Sequence, residues 1–520
     1  MYSKIRIILL LLAPVYCWAQ SVDTLLVQKA FHEDISYLEN LRQGSSNPAM
    51  IHYAPFDVLE FNIHNFSSKD HFGVIDAPLN SRYWNGDISG VQKLENIVLQ
   101  GGLQYSNQKQ MDVRWKSSLF LAPDNPFFAC DSFPGDASIE TIKLNGGFSW
   151  ELNPKWRTGI RAFYHVGGLA DQADPRPLTQ SMRFYFIPGA EVRWDKWSLG
   201  FSAGICFFSE ETKFVQINGR DPSTSFIFLS RGLGDQEYKT TEGNSPFQRR
   251  TTGNRYLGSL QLVWDNHSDR ANYLQLEVAM STEEAIDGER YTKYRGGDYQ
   301  QFYISLSDRF RIITGNYIQN ITLNAVMRDV SGTWFLQTMV TGSDGNTVWE
   351  IRDQSVCHTS NEIEASLAYR IDMMKGSLPS LTFDLKGGML IADVRHFPQE
   401  YYRTYTNAFI DAEVRKHFNI NRNLFSLSVN GYFQTNLDAD IHVTGSRLAN
   451  TVQIPQFHAL SADFFGAGAG ASFKVPVTVR NQPLWLGFFA NASFYKYNGD
   501  YEKFLDTSRN FVKAGVQLVF

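Results

Sequence analysis

The chain ends in "NFVKAGVQLVF", Asn510 to Phe520, and this stretch decides the fold. Val512, Ala514, Val516, Leu518 and Phe520 fall on one side of an extended strand. Lys513, Gly515 and Gln517 fall on the other, because successive strand side chains point to opposite faces. Chain termini normally fray, so a strand that keeps its alternation to the last residue needs a neighbour to hold it.

The same dyad recurs along the chain. In "KWSLGFSAGICFF" the apolar side is Trp197, Leu199, Phe201, Ala203, Ile205 and Phe207, against small residues such as Ser198, Gly200 and Ser202. "TIKLNGGFSWEL" sets Ile142, Leu144, Phe148, Trp150 and Leu152 against Lys143, Asn145, Ser149 and Glu151. "LTFDLKGGML" and "NAFIDAEVRKHF" repeat the pattern. Each run is about 10 residues, the length with which a tilted strand crosses a bilayer. Soluble propeller and sandwich strands alternate too, but they are shorter, at about 5–6 residues.

Aromatic rings gather near strand ends, at Trp150, Trp156, Trp194, Trp197, Trp264 and Trp485, as interfacial girdles require. Connections alternate in length. Short ones are read at Asn107–Gln110, Asn153–Lys155, Asp195–Lys196, Asn266–Arg270, Met373–Pro379 and Asn419–Asn423. Long ones are read at Gly167–Thr179, Ser209–Asn254, Val330–Thr359 and Leu437–Phe457, with Trp334–Arg352 readable as a hairpin inside an outer loop. The expected fold is therefore all-β: a transmembrane antiparallel up-and-down barrel of about 14–18 strands with both termini periplasmic. The first strand is expected near Phe56–Phe66 and the last near Arg509–Phe520.

Composition agrees. The 520 residues include 39 Phe, 24 Tyr, 11 Trp and 39 Gly, and no window after the N-terminus reaches the length of a spanning helix. A net charge of −5 leaves no footprint for nucleic acid. "MYSKIRIILLLLAPVYCWAQ" has the basic start, apolar core and small-residue end of a signal peptide. Three cysteines follow it, Cys130, Cys206 and Cys357; Cys130 and Cys357 both fall in expected loops, where pairing stays open. The expected division is a signal peptide over residues 1–19, a periplasmic or lumen-plug segment over 20–53, and the barrel over 54–520.

The segment before the barrel is helical in spacing, with Leu25, Leu26, Val27, Phe31, Ile35 and Leu38 on short amphipathic turns. "GSSNPAM" ends it, because Pro48 biases Asn47 towards extended backbone. Asn47-Pro48-Ala49, after a short helical N-terminus and before a long barrel, resembles the Asn-Pro-Ala motif of the long-chain fatty-acid channel family. The resemblance implies an N-terminal hatch inside the barrel that admits hydrophobic substrates. The whole chain resembles the uncharacterised outer-membrane barrel families. The last strand, with Val516, Leu518 and Phe520 on one face, resembles the signal read by the outer-membrane assembly machinery.

If the apolar faces meet lipid, the opposite faces line a lumen carrying both charge signs. Its candidates are Arg157, Arg161, Glu191, Arg193, Asp411, Glu413 and Arg415, and mixed signs suit mutual pairing around a narrow or plugged bore. Arg249, Arg250 and Arg255 in "SPFQRRTTGNRY" either meet lipopolysaccharide phosphates or fold onto lumen acids. Phe127 and Phe128, in a Pro-rich loop, either cap the barrel or touch a partner. No GxSxG, HExxH or phosphate loop is present, and His52, His64 and His71 lack metal-ligand spacing. No enzyme, cofactor or metal is expected.

The function expected is an outer-membrane barrel in a diderm bacterium that passes, or helps to acquire, a small solute, the Asn-Pro-Ala resemblance adding hydrophobic ones. The alternative is a non-conducting barrel that docks a surface lipoprotein, receptor or secretion partner through its loops.

Overall fold

A computed structural model describes residues 24–215, 226–233, 235–240, 247–288, 293–341, 343, 347–420, 422–444, 449–480 and 482–520. The expected signal peptide lies outside them. Eighteen antiparallel strands form one closed sheet in which each pairs with its sequence neighbours. They are β1 Val58–Asp70, β2 Asn80–Lys93, β3 Ile97–Val113, β4 Gly135–Asn153, β5 Trp156–Asp171 and β6 Arg176–Trp194. Then come β7 Trp197–Val215, β8 Phe247–Asp265, β9 Arg270–Asp287, β10 Tyr294–Thr314, β11 Tyr317–Thr341 and β12 Thr347–Lys375. The wall is completed by β13 Leu378–His396, β14 Tyr401–Ile420, β15 Asn423–His442, β16 Phe464–Val479, β17 Gln482–Tyr497 and β18 Ser508–Val519.

The last strand meets the first. Val516 lies opposite Ile63 and Leu518 opposite Phe61. The Phe520 N–H donates to the Leu59 carbonyl at 2.8 Å, and the Leu59 N–H returns the bond at 3.3 Å. Closure leaves no edge whose backbone groups would go unpaired in hydrocarbon. Among the described residues no helix is long and apolar enough to cross a membrane.

The alternation sorts as a membrane barrel requires. On β7, Leu199, Phe201 and Phe207 stand exposed while Ser198, Ser202 and Cys206 between them are buried. Ile63, Trp84, Val429 and Val512 are each more than half exposed. Two stacked soluble layers would bury that apolar half; here it faces outward, where lipid covers it.

One rim carries connections of two to four residues, and the opposite rim carries connections that run from four residues to more than twenty. Several expected boundaries move. Asn107–Gln110 is no turn: Asn107 pairs with Trp84 on one side and Glu140 on the other, inside β3. The Gly167–Thr179 loop shrinks to 172–175, because Leu169 pairs with Thr179. Trp334–Arg352 belongs to a hairpin that prolongs β11 and β12 past their neighbours. The first two are polar stretches that continue the ladder above the apolar band, where water and not lipid meets the wall, so polarity alone misplaced their ends; the third is the hairpin that the sequence offered. Trp485 is fully buried, so it is not a girdle ring; it packs with Phe31, Ile35, Phe56 and Leu424. Cys130, Cys206 and Cys357 are all free thiols.

Candidate functional site: a lumen closed at both ends

The segment before β1 folds inside the barrel. Thr24–Ala30 and His32–Glu39 form two short helices, α1 and α2, and Pro48–Tyr53 forms a 3₁₀ turn. Pro48 suits the first position of that turn, since it has no N–H to leave unpaired. Asn47 caps it by accepting from the Ala49 N–H at 3.0 Å.

The same side chain fastens the turn to three strands. The Asn47 amide nitrogen lies 2.8 Å from the Ala190 carbonyl, 3.2 Å from that of Phe201 and 3.0 Å from Gln261 Oε1. The Ser149 hydroxyl donates to the Ala49 carbonyl at 2.7 Å. Asn47 and Ala49 are wholly buried. The wall makes room with glycines: a Cβ at Gly159 would stand 2.7 Å from the Pro48 backbone, and one at Gly189 2.3 Å from Asn47 Oδ1. At Gly200 it would stand 2.7 Å from Asn47 Nδ2. The "NPA" turn and the bare patch opposite it fit at backbone distance.

Charged wall residues grip the rest of the segment. The Tyr53 hydroxyl donates to Glu191 at 2.7 Å, and the Arg42 and Arg157 guanidiniums lie 3.7 and 4.5 Å from its ring. Arg157 and Arg193 meet Glu151 at 2.6 and 3.2 Å, and His52 lies 3.4 Å from it. Burial raises the Tyr53 hydroxyl to about 12. Burial first, then the Arg157 charge, hold His52 down to about 4, so at neutral pH it is an uncharged partner. Arg161 donates to the Ser45 carbonyl at 3.1 Å. Deeper in, Asp34 receives Arg370 and Arg415 at 3.1 and 3.2 Å, and Arg415 also holds Glu413 at 2.8 Å. Arg311 donates to the Leu38 carbonyl at 2.8 Å, meeting the free carbonyls at the end of α2.

Of the seven lumen candidates, the structure thus brings Arg157, Arg161, Glu191, Arg193 and Arg415 to the segment or its partners, with Glu413 behind Arg415. Asp411 stands opposite Lys386 and makes no bond to the segment among the described residues. The sequence reading missed Tyr53, Asp34, Arg311, Arg370 and Gln261. Strand periodicity places the last three inward, but their partners come from a segment whose helical spacing carries no information on depth.

One group of described residues has metal-ligand geometry: His32, Glu33 and Glu60. Glu60 is already engaged by His32 at 2.6 Å, by Gln517 at 2.6 Å and by Asn62, so its oxygens serve the contact between segment and wall.

The opposite end is covered by the loop between β3 and β4. Its Phe127 is buried against β10 and β11, where a Cβ at Gly297 would stand 2.3 Å from the ring. Phe127 therefore caps the barrel. Tyr299 and Gln301 donate to Asp124 at 2.7 and 2.9 Å, and Asn125 donates to Glu283 at 2.7 Å. The N–H groups of Leu119 and Phe120 donate to Glu210 at 3.1 and 2.6 Å. Ala129–Cys130 adds to a hairpin of Phe226–Gly232 and Asp235–Thr240, pinned to the wall where His396 lies 3.1 Å from Asp235. Between the closures the lumen keeps space, about 460 Å³ under the cap and about 500 Å³ beside the N-terminal segment.

A family model described as a family of unknown function, DUF6850, matches residues 48–520. No curated protein matches. Among solved structures, the RagAB peptide transporter is 8% identical, with 90% of this chain and 87% of that one covered and a TM-score of 0.41. BauA, the ferric preacinetobactin receptor from Acinetobacter baumannii, is 9% identical over 90% and 80%, with a TM-score of 0.39. The copper transporter OprC is 8% identical over 89% and 81%, with a TM-score of 0.38. Likenesses of this size carry no argument about ligand or partner.

Proposed function

The chain belongs to the DUF6850 family of unknown function, and we propose that it is a gated outer-membrane barrel for uptake of a small solute. In this reading residues 1–19 direct export and are removed, residues 20–53 are the hatch, and residues 54–520 are the wall. Outer-membrane lipid covers the exposed apolar band, and the assembly machinery reads Val516, Leu518 and Phe520. The observation that carries the reading is the seating of Asn47, Pro48 and Ala49 on Gly159, Gly189 and Gly200. A permanent core has no need of open space between two closures; a hatch that withdraws gives that space an outlet.

The test is a lock. Ala49→Cys with Ser149→Cys sits where the Ser149 hydroxyl now meets the Ala49 carbonyl at 2.7 Å. Flux of small solutes into proteoliposomes should stop on oxidation and return on reduction. Equal flux in both states, or none in either, would overturn the gate.

One observation favours docking as the second reading. The hairpin that prolongs β11 and β12 leaves Leu336, Met339, Val348 and Ile351 about half exposed, beyond the wall of its neighbours. A closed barrel that co-purifies with a surface partner through this hairpin would place the function there.

A further inference from the structure

The chamber under the cap sorts its charges unequally. Asp124 is taken by Tyr299 and Gln301, Glu283 by Asn125, and Glu362 by Arg328. The acids hold the cap or pair within the wall. Arg183 and Arg255 line the same space and have no carboxylate in ion-pair contact among the described residues. Arg255 finds Gln301 at 3.2 Å and Ser281 at 3.4 Å, at and just past the long end of useful hydrogen bonds. Arg183 donates to the Phe120 carbonyl. Each guanidinium lies 5.0 Å from a ring, Phe208 for Arg183 and Tyr303 for Arg255. A ring behind the plane holds it in place and leaves its edge donors free to meet an oxyanion.

The register sets their spacing. Arg183 lies opposite Phe208, and Arg255 opposite Cys206, on the two sides of β7. Two strand spacings and a two-residue stagger put their backbones about 12 Å apart, a gap that two long side chains entering one cavity close around a single solute. Of the basic run that precedes this point, Arg249 is spent on Asp287 at 2.6 Å and Arg250 faces outward. Only Arg255 is left to the chamber. The remaining lining sets the polar groups of Ser281, Asn254, Tyr185 and Tyr303 beside apolar Ala122, Pro123 and Phe208, and about 460 Å³ lies within the range of small-molecule sites.

We propose that this chamber binds a small hydrophilic oxyanion, a carboxylate or a phosphate, held by Arg183 and Arg255. The site rests on the uptake reading, because a space behind two closures fills only when one of them opens. Calorimetric titration of the refolded full chain with succinate, inorganic phosphate, neutral succinamide and octanoate tests it, and the two oxyanions distinguish a carboxylate from a phosphate source. Succinate or phosphate should bind and succinamide should not. Arg255→Gln and Arg183→Gln should each weaken binding about 10- to 100-fold, the loss expected for a charged hydrogen bond. Arg255→Lys should keep part of it, and Arg250→Gln should match wild type. Equal binding of succinamide, binding of octanoate alone, or indifference to both arginine changes would overturn the site. A chain that binds succinate through Arg255 but never passes solute would overturn uptake and leave the site standing; flux without oxyanion binding would do the reverse.

Discussion

The two closures block the same lumen by different means. At the short-turn rim, the Asn47–Ala49 turn touches wall backbone where glycines remove the Cβ, and its amide bonds strand carbonyls. At the far rim, Phe127 seats on Gly297 but the rest of the cap hangs from side chains: Asp124, Glu210 and Glu283 each take donors across the gap. Fit at backbone distance tolerates no added atom, whereas a side-chain latch gives way one bond at a time. In the gate we propose, the cap is the softer closure, and the N-terminal segment is the one whose withdrawal opens the bore.

The comparison breaks first at Gly189. Gly189→Leu drives atoms into Asn47 and should cost about 3 kcal/mol of hatch docking, the upper range for overpacking. Trypsin should then cut within residues 24–53 while the barrel stays intact. Gly146→Ala, where a Cβ meets nothing within 4 Å, should leave the cleavage pattern unchanged. Asn47→Ala removes the amide that joins three strands and should cost about 2 kcal/mol, read as a lower melting temperature. Asp124→Ala frees Tyr299 and Gln301, and should cost only about 1 kcal/mol; the loop between β3 and β4 should be cleaved faster with the hatch still protected.

Acidity sharpens the contrast with the smallest effect, because it acts on the two ends in opposite senses. His52 in the hatch is held down to about 4, below its unfolded value of about 6.5. Its contribution is complete above that unfolded value and is lost as pH falls from there towards 4. Asp131 in the cap is raised to about 7, chiefly by burial, above an unfolded value of about 3.9. The acid's penalty grows as pH rises through that window, so the cap is steadier at low pH. Hydrogen exchange at pH 5 and pH 8 should show the hatch loosening and the cap tightening in acid. Parallel changes at the two ends would remove the distinction.

The wall was legible because lipid and water impose a two-residue period on every strand, and β7 or β18 can be sorted residue by residue from it. The same period found Arg157, Glu191 and Arg415 on the inner face. It did not say what they touch. Tyr53, between two guanidiniums, sits on a short turn with no periodicity, and Asp34 on a helix whose partners lie several hundred residues away. An aromatic residue misled at a strand end: Trp485 looks like a girdle residue and is buried against the inserted N-terminal segment, whereas Phe127 takes the capping place that its loop position allowed. A sequence pattern reports which side of the sheet a residue is on, and only the fold reports whether that side is covered.

Single-channel recording on Gly189→Leu beside wild type tests the account most directly. Wild type, with Asn47 seated most of the time, should open only in rare, brief steps, and the variant should stay open far longer. Steady conductance by wild type, or silence from a correctly folded variant with its N-terminal segment displaced, would contradict a hatch resting on those glycines.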